Sequence, residues 1–335
     1  MLSDLAAQLH QSLGILHKQD IQTAARILGA SGRSSIRLGD DCAAIPNADG
    51  YLLLASEGML PVLVETEPWF AGWSAVMVNV SDIHAMGGRA IALVDTLWSQ
   101  SAAATQPIWA GMQAAAQAYN VPIVGGHTNC HSPYTALSVA IMGQAKQLIT
   151  SFNARPGDWL LVATDFRGAP HPKYPFWDAA TRADPAQLRG DLALLPLLAE
   201  SGLCDAGKDI SMGGIIGTLL MLLETSGCGA VLDIDAVPCP ASLSLEQWLV
   251  SFPSYGFLLS VRPGNVSAVQ SYFRQRGLVC AVVGEVQPTQ TLVLQSPEES
   301  IVFWDLEHQP LTGFMAADKA DRAVGEQIVR YPSSV

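Results

Sequence analysis

Apolar positions along this chain fall into short blocks whose period changes several times. Leu5, Leu9, Leu13 and Leu16, continued by Ile21, Ala25 and Leu28, keep near-helical spacing, so residues 2–28 read as helical. Ala30-Ser31-Gly32-Arg33-Ser34-Ser35 then breaks the pattern as a loop. Tyr51 to Ser56 reads as a strand, Gly72 to Met86 as a helix, Ala90 to Trp98 as a strand and Pro107 to Tyr119 as an alanine-rich helix. Val121 to Val124 and Ala136 to Met142 close the set as strands. This βαβαββ order fits a mixed sheet with helices on one face.

A second unit opens at the turn Arg155-Pro156-Gly157-Asp158, followed by the strand Trp159 to Thr164. Helices near 186–200, 213–226 and 264–276 alternate with strands near 230–234, 256–261 and 279–285. The expected class is therefore α/β (α+β), divided into residues 1–150, residues 151–290 and a separate tail over 291–335.

Length and composition agree with two filled cores: 335 residues, of which 49% are hydrophobic and 14% charged. The net charge of −12 argues against nucleic acid or an anionic membrane surface as partner, since both require a basic face. A polyanionic small molecule would need metal ions to offset the repulsion. Six cysteines are scattered without a CxxC pair, which reads as reduced thiols in the cytoplasm. No basic-then-apolar leader follows Met1, and no run reaches the roughly 18 apolar residues of a membrane span.

Candidate chemistry lies in four blocks. Gly39-Asp40-Asp41-Cys42-Ala43-Ala44 sets two adjacent carboxylates against an apolar run, a costly arrangement unless a cation is present; an exposed turn is the plain alternative. In Asn79-Val80-Ser81-Asp82-Ile83-His84-Ala85-Met86-Gly87-Gly88, helical spacing puts Asn79, Asp82 and Met86 on one stripe beside the buried face of Trp73, Val76, Met77, Val80 and Ile83. Taken alone, Asp82 reads as a solvated helix residue. Gly125-Gly126-His127-Thr128 reads as a strand end where bare backbone meets phosphate or base. Lys208-Asp209-Ile210-Ser211-Met212-Gly213-Gly214 precedes a helix, with Ser211 as the expected N-cap and the glycines at an anion-attracting helix end.

Two other patterns carry less. His84, His127, Cys130 and His131 offer soft-metal donors, but their spacing matches no zinc pattern. Gly202-Leu203-Cys204-Asp205-Ala206-Gly207-Lys208 mimics a P-loop, yet Asp209 stands where Ser or Thr must bind Mg²⁺, and no convincing strand precedes it.

Taken in order, the GDD-x-AA, N-x-SDIHAMGG, GGHT and DIS-x-GG blocks resemble the aminoimidazole ribonucleotide (AIR) synthetase superfamily over residues ~30–290. Its members include thiamine-monophosphate kinase, selenophosphate synthetase, the hydrogenase maturation dehydratase and formylglycinamidine synthetase. The resemblance implies a homodimer paired through its N-terminal sheets, with ATP and Mg²⁺ in a cleft against the second domain. It implies Asp40, Asp41, Asp82 and Asp209 as metal carboxylates and Asn79 as a nucleotide contact. Gly125, Gly126, His127 and Thr128 would line the nucleotide, while Ser211, Gly213 and Gly214 would face its phosphates.

Departures from the relatives narrow the reading. Ser56-Glu57-Gly58 replaces the usual Thr-Asp-Gly and keeps a carboxylate on a longer arm. His127 and Met212 stand where thiamine-monophosphate kinases carry acids, and no cysteine precedes the GDD block as selenophosphate synthesis requires. With only Lys18 upstream, a catalytic lysine in the N-terminal loop is expected to be missing, leaving Arg33 and Arg37 to meet the γ-phosphate. The expectation is an ATP- and Mg²⁺-dependent phosphotransferase or ATP-driven synthetase acting on a small-molecule substrate, outside the well-characterised branches, with Asp41 and Asp82 central to catalysis. The alternative is a non-catalytic nucleotide-binding regulatory subunit.

Overall fold

The computed structural model describes residues 2–29 and 36–314. Three helices, α1 (Leu2–His10), α2 (Leu13–Leu16) and α3 (Ile21–Gly29), lead in, with a 3₁₀ turn at His17–Asp20 between the second and third. The first sheet follows: β1 (Ala43–Asn47), β2 (Gly50–Gly58), β3 (Arg89–Trp98), β4 (Ile123–Asn129) and β5 (Ala136–Ala145), in the spatial order β1-β2-β5-β3-β4. Helices α4 (Pro61–Thr66), α5 (Pro68–Ala85) and α6 (Ala102–Tyr119) connect these strands. The crossover α6 joins β3 to β4, the one parallel pair in this sheet.

The second sheet has seven strands in the order β15-β14-β10-β13-β6-β12-β9. They are β6 (Trp159–Thr164), β9 (Ala206–Asp209), β10 (Gly229–Asp233), β12 (Gly256–Val261), β13 (Val279–Gln287), β14 (Thr291–Gln295) and β15 (Ser300–Asp305). A small sheet of β7 (Ala169–Pro170), β8 (Phe176–Asp178) and β11 (Phe252–Pro253) stands beside it. Helices α7 (Pro185–Leu192), α8 (Leu194–Glu200), α9 (Gly214–Ser226), α10 (Leu245–Leu249) and α11 (Val266–Gln275) complete the α/β arrangement.

Helix α5 departs from the expected one-sided burial, because every residue from 71 to 83 is buried. Its neighbours are the first sheet, α6 and, from the other half of the chain, β9 and α8. A helix enclosed on all sides loses its polar face, so Asn79 and Asp82 are interior groups and the solvated reading of Asp82 is overturned. Both long helices also begin earlier than the periodicity predicts. Pro68 occupies the first turn of α5, where its missing N–H costs nothing. The α6 start is set by Ser101, whose hydroxyl accepts from the Ala104 N–H, leaving Pro107 inside the helix.

Two other expectations change. The strand expected over Val121 to Val124 is β4, Ile123–Asn129, so Gly125 to Thr128 lie within a strand at the sheet's outer edge. Residues 291–305, expected as a separate tail, add β14 and β15 to the second sheet; β14 runs parallel beside β10 and buries Leu292 and Leu294.

Candidate active site

A cleft of about 610 Å³ runs between the two halves, lined on one side by β2 and α5 and on the other by β8, β9 and the approach to α9. Into it three chain segments far apart in sequence deliver Asp41, Asp82 and Asp209, whose nearest oxygens all lie within 4.8 Å of one another. Asp41 comes from the turn before β1, Asp82 from the last turn of α5, and Asp209 from the end of β9. Among the described residues this is the one group of His, Cys, Asp or Glu side chains with metal-holding geometry. Three oxygen donors suit a hard cation such as Mg²⁺. Asp82 Oδ2 is buried with no hydrogen-bond partner, an orphan acceptor that a cation would satisfy.

Electrostatics support the same fit. Burial, reinforced by the neighbouring Asp209 carboxylate, drives the Asp82 pKa well above the carboxylate range. Asp209 is pushed up to about 8 by burial and then by Asp41. Charges of one sign are held together here without full compensation, which is the condition a divalent ion relieves.

The fourth expected ligand, Asp40, is committed elsewhere. Its side chain is 2% exposed and accepts hydrogen bonds from Thr150 Oγ1 at 2.5 Å and from the Ser151 N–H at 3.1 Å. Burial raises its pKa, with Lys208 opposing. Asp40 therefore pins the turn that presents Asp41, a structural role in place of the predicted ligation.

Two lysines complete the polar end. Lys208 on β9 is buried and hydrogen-bonds Asp41 Oδ1; burial opposes its charge, yet Asp41 and Asp40 keep its pKa above the usual lysine value. Lys18, on the 3₁₀ turn, lines the cleft although it is only 9% exposed. Among the described residues its ammonium has no hydrogen bond or ion pair, and burial, then Lys208, lowers its pKa to about 8. Its Cε lies 3.2 Å from the point where a Gly213 Cβ would sit and 3.1 Å from that of Gly217, so it packs closely on the bare backbone at the start of α9. The expected absence of an N-terminal lysine is overturned: the turn after α2 carries it to the first turn of α9. Arg37 instead stacks on the Phe152 ring, with Cζ 3.7 Å from its centroid, off the cleft wall. Arg33 falls outside the described residues.

Of the block expected to face phosphates, Ser211 lies on the cleft wall, whereas Gly213 and Gly214 are absent from its lining and pack against Gly14 and against Leu249 and Val250. The N-cap of α9 is Gly213 at φ +92°, a conformation glycine adopts without strain, and Ser211 lies two residues earlier on the cleft wall. Ser211 supplies the carbonyl that accepts from the Gly214 N–H.

The remaining nucleotide candidates are not brought to this cleft. Asn79 is fully buried: its amide donates to the Ala75 carbonyl at 2.8 Å while Oδ1 has no partner. Gly125, Gly126, His127 and Thr128 are absent from the cleft lining and exposed along β4. Gly126 is required by its neighbour, since a Cβ there would stand 2.2 Å from Asp95 Oδ1 on the adjacent strand. Asp95 is itself buried with neither oxygen partnered, a group the motifs did not signal. The soft-metal set does not assemble: among the described residues His84, His127, Cys130 and His131 form no metal-holding group, and the half-buried His84 ring bonds the Val80 carbonyl at 2.8 Å, with desolvation lowering its pKa to about 4.

Residues 39–145 match the N-terminal domain and residues 155–296 the C-terminal domain of the AIR synthase related proteins, and the chain belongs to that family. It is 60% identical over 320 residues, covering 94% of this chain and 99% of the other, to the uncharacterized protein sll0787 of Synechocystis. It is 30% identical over 235 residues to the thiamine-monophosphate kinase of Synechococcus elongatus, covering 62% and 70% of the two chains. Among solved structures, "AaThiL complexed with AMPPCP and TMP" superposes with a TM-score of 0.63 at 19% identity, covering 82% of this chain and 93% of that one. "T. maritima PurL complexed with FGAR" gives 0.70 at 18% identity, covering 100% of this chain and 56% of that one. The chain thus spans about half the length of the PurL chains it matches. These likenesses establish the two-domain AIR-synthetase-like fold. Among the described residues no helix is long and apolar enough to cross a membrane.

Proposed function

We infer that this chain is an ATP- and Mg²⁺-dependent phosphotransferase or ATP-driven synthetase that activates a carbonyl, amide or carboxylate oxygen of a small metabolite in the cytoplasm. The observation that carries this reading is the convergence of Asp41, Asp82 and Asp209 on one point, flanked by Lys18 and Lys208. Bound Mg²⁺ at these carboxylates would neutralise phosphate charge. Lys208 holds Asp41 in place, and Lys18 with the first turn of α9 would receive the phosphates. The acceptor oxygen forms the new bond to the γ-phosphorus while the bond to the bridging oxygen breaks, its electron pair leaving with ADP. An amide acceptor sheds its N–H proton, and a carbonyl acceptor its α-proton, to a cleft carboxylate; a carboxylate acceptor has none to lose.

The unpaired Lys18 supports phosphate binding, because a cation held without a partner in a cleft has a stability cost that a phosphate would offset. The outward face of the first sheet supports the homodimer. Leu54, Met142, Val94 and Val124 are 50%, 42%, 43% and 64% exposed, an apolar stripe fit for a second copy.

Calorimetric titration of purified protein with ATP tests the reading. Binding is expected with excess Mg²⁺, to be lost on chelation, and to weaken at least tenfold in Asp82→Asn, while light scattering on the same sample gives the mass of two chains. Equal affinity of wild type and Asp82→Asn, or binding indifferent to Mg²⁺, would remove the enzyme reading; a one-chain mass would remove the dimer.

A further inference from the structure

Helices α1 and α2, which precede the first sheet in sequence, pack on the second half of the molecule. Leu2, Ala6, Leu9 and Ile15 share a buried core with Leu219 of α9 and Leu292 of β14. The His10 ring stacks on Phe303 with centroids 4.3 Å apart, and the Leu2 N–H donates to Glu299 Oε2 at 2.7 Å. From this arm the 3₁₀ turn brings His17 and Lys18 to the cleft wall. The position of Lys18 therefore depends on how the arm seats on α9.

The seat is backbone against backbone. A Cβ at Gly14 in α2 would stand 2.8 Å from the Gly213 nitrogen and 3.0 Å from its Cα, and one at Gly213 would stand 2.9 Å from the Gly14 carbonyl oxygen. Backbone atoms cannot rotate aside as a side-chain end can, so a side chain at position 14 must lift α2 off α9. Gly14 has no positive φ, and within a helix alanine is favoured over glycine. Close approach to Gly213 is what glycine supplies there.

Helix α2 is only four residues long, so a shift at Gly14 carries to Lys18 one turn further on. On the α9 side, Gly217 lies under the Lys18 stem, whose Cε would be 3.1 Å from an added Cβ; this contact ends on a side-chain carbon and yields more easily. Lys18 itself is the independent sign of a ligand, a buried ammonium on the cleft wall with no hydrogen bond or ion pair among the described residues.

Resting on the reading of Lys18 as a phosphate-binding group, we propose that Gly14 and Gly217 are positioning residues for the nucleotide's phosphates. Gly14 sets how closely the arm seats on α9 and thereby where the ammonium stands; Gly217 leaves the groove along which the Lys18 stem lies. Neither touches the nucleotide.

The test is calorimetric titration with Mg·AMPPNP, each variant held well below its melting temperature. Gly14→Ala should weaken binding about tenfold, and Gly217→Ala a few-fold in the same direction. Lys18→Met should weaken it at least tenfold. Adding Gly14→Ala to Lys18→Met should change affinity by less than a factor of two, because Gly14 acts through Lys18, while any fall in melting temperature caused by Gly14→Ala should recur unchanged in that background. Gly29→Ala, at the end of α3 where an added Cβ meets nothing within 4 Å, should bind as wild type. Wild-type affinity in both Gly14→Ala and Gly217→Ala overturns the proposal, as does an additive loss in the double variant or an equal loss in Gly29→Ala. Should Gly14→Ala fail to fold, Gly217→Ala decides, with unchanged affinity overturning the proposal. Lys18→Met that binds like wild type removes the phosphate role of Lys18 and the positioning with it. A wild type that binds no Mg·AMPPNP removes the phosphotransfer reading itself.

Discussion

Lys18 shows how one residue's role depends on contacts that its sequence neighbours do not disclose. It sits in Leu16-His17-Lys18-Gln19-Asp20, an ordinary polar turn between helices, and its partner surface, Gly213 and Gly217, lies nearly 200 positions away. Removing it separates a phosphate-binding role from a structural one. Lys18→Met eliminates a buried unpaired charge, so the melting temperature should hold or rise, while Mg·ATP affinity falls roughly 10- to 100-fold for loss of a charge-assisted contact. A drop in stability together with unchanged affinity would make Lys18 a structural residue. Of the carboxylates only the Asp40-Asp41 pair, set against the apolar run Cys42 to Ile45, signalled itself locally; Asp82 alone read as solvated, and it was the order of the blocks that joined it to Asp41 and Asp209. Adjacency alone could not separate Asp40 from Asp41. Their division of labour is set by the Thr150 and Ser151 donors, which appear in no motif. Lys208 carried no comparable signal: in Ala206-Gly207-Lys208-Asp209-Ile210 it stands beside an aspartate, and only the fold shows that it is buried against Asp41.

At the scale of elements, periodicity located the longer helices and about half of the strands but missed the short helices α4 and α10 and what depends on partners. Strand β9 is four residues long and wholly buried, too short and too uniformly covered for an alternating pattern to mark it. The segment after β15 offers still less to read, yet it forms part of the cleft. Glu224, near the end of α9, accepts from the N–H groups of Leu311, Thr312 and Gly313 at 2.8, 2.8 and 3.1 Å and from Thr312 Oγ1 at 2.5 Å. One buried carboxylate thereby satisfies a turn of backbone and sets Thr312 and Phe314 on the cleft wall, with Phe314 against Gly39 of the GDD block. Glu224→Ala strands those donors in a buried position and is expected to cost roughly 2–4 kcal/mol by urea denaturation. Proteolysis should then cut first within residues 306–314. Glu224→Gln keeps one acceptor oxygen and should lose less. If both variants match wild type in urea and in cleavage pattern, the strap is not held by this carboxylate.

Across the whole molecule, the division into two α/β halves was legible from the alternation of elements, whereas the site exists only where the halves meet: α5 reaches Asp82 toward β9, and the GDD turn reaches Asp41 toward Lys208. This architecture concentrates negative charge in a chain already at −12, and it ties stability to cation supply. The sign follows from the shifts. In the unfolded chain an Asp carboxyl titrates near 4. In the fold, burial and then Asp41 raise Asp209 to about 8, and burial and then Asp209 raise Asp82 well above its ordinary value. The folded state therefore binds these protons more tightly than the unfolded state, so metal-free protein loses stability as pH rises from about 4 through about 8. In EDTA, the melting temperature near pH 8.5 should fall below that near pH 5 by on the order of 5 °C. Excess Mg²⁺ should restore most of the loss at the higher pH and do little at the lower, where protons already neutralise the cluster. Asp209→Asn should flatten the pH slope in EDTA and weaken the Mg²⁺ response together, because the same carboxylate carries both. A flat wild-type profile, or a slope that Asp209→Asn leaves intact, would show that the cluster does not couple folding to cation binding.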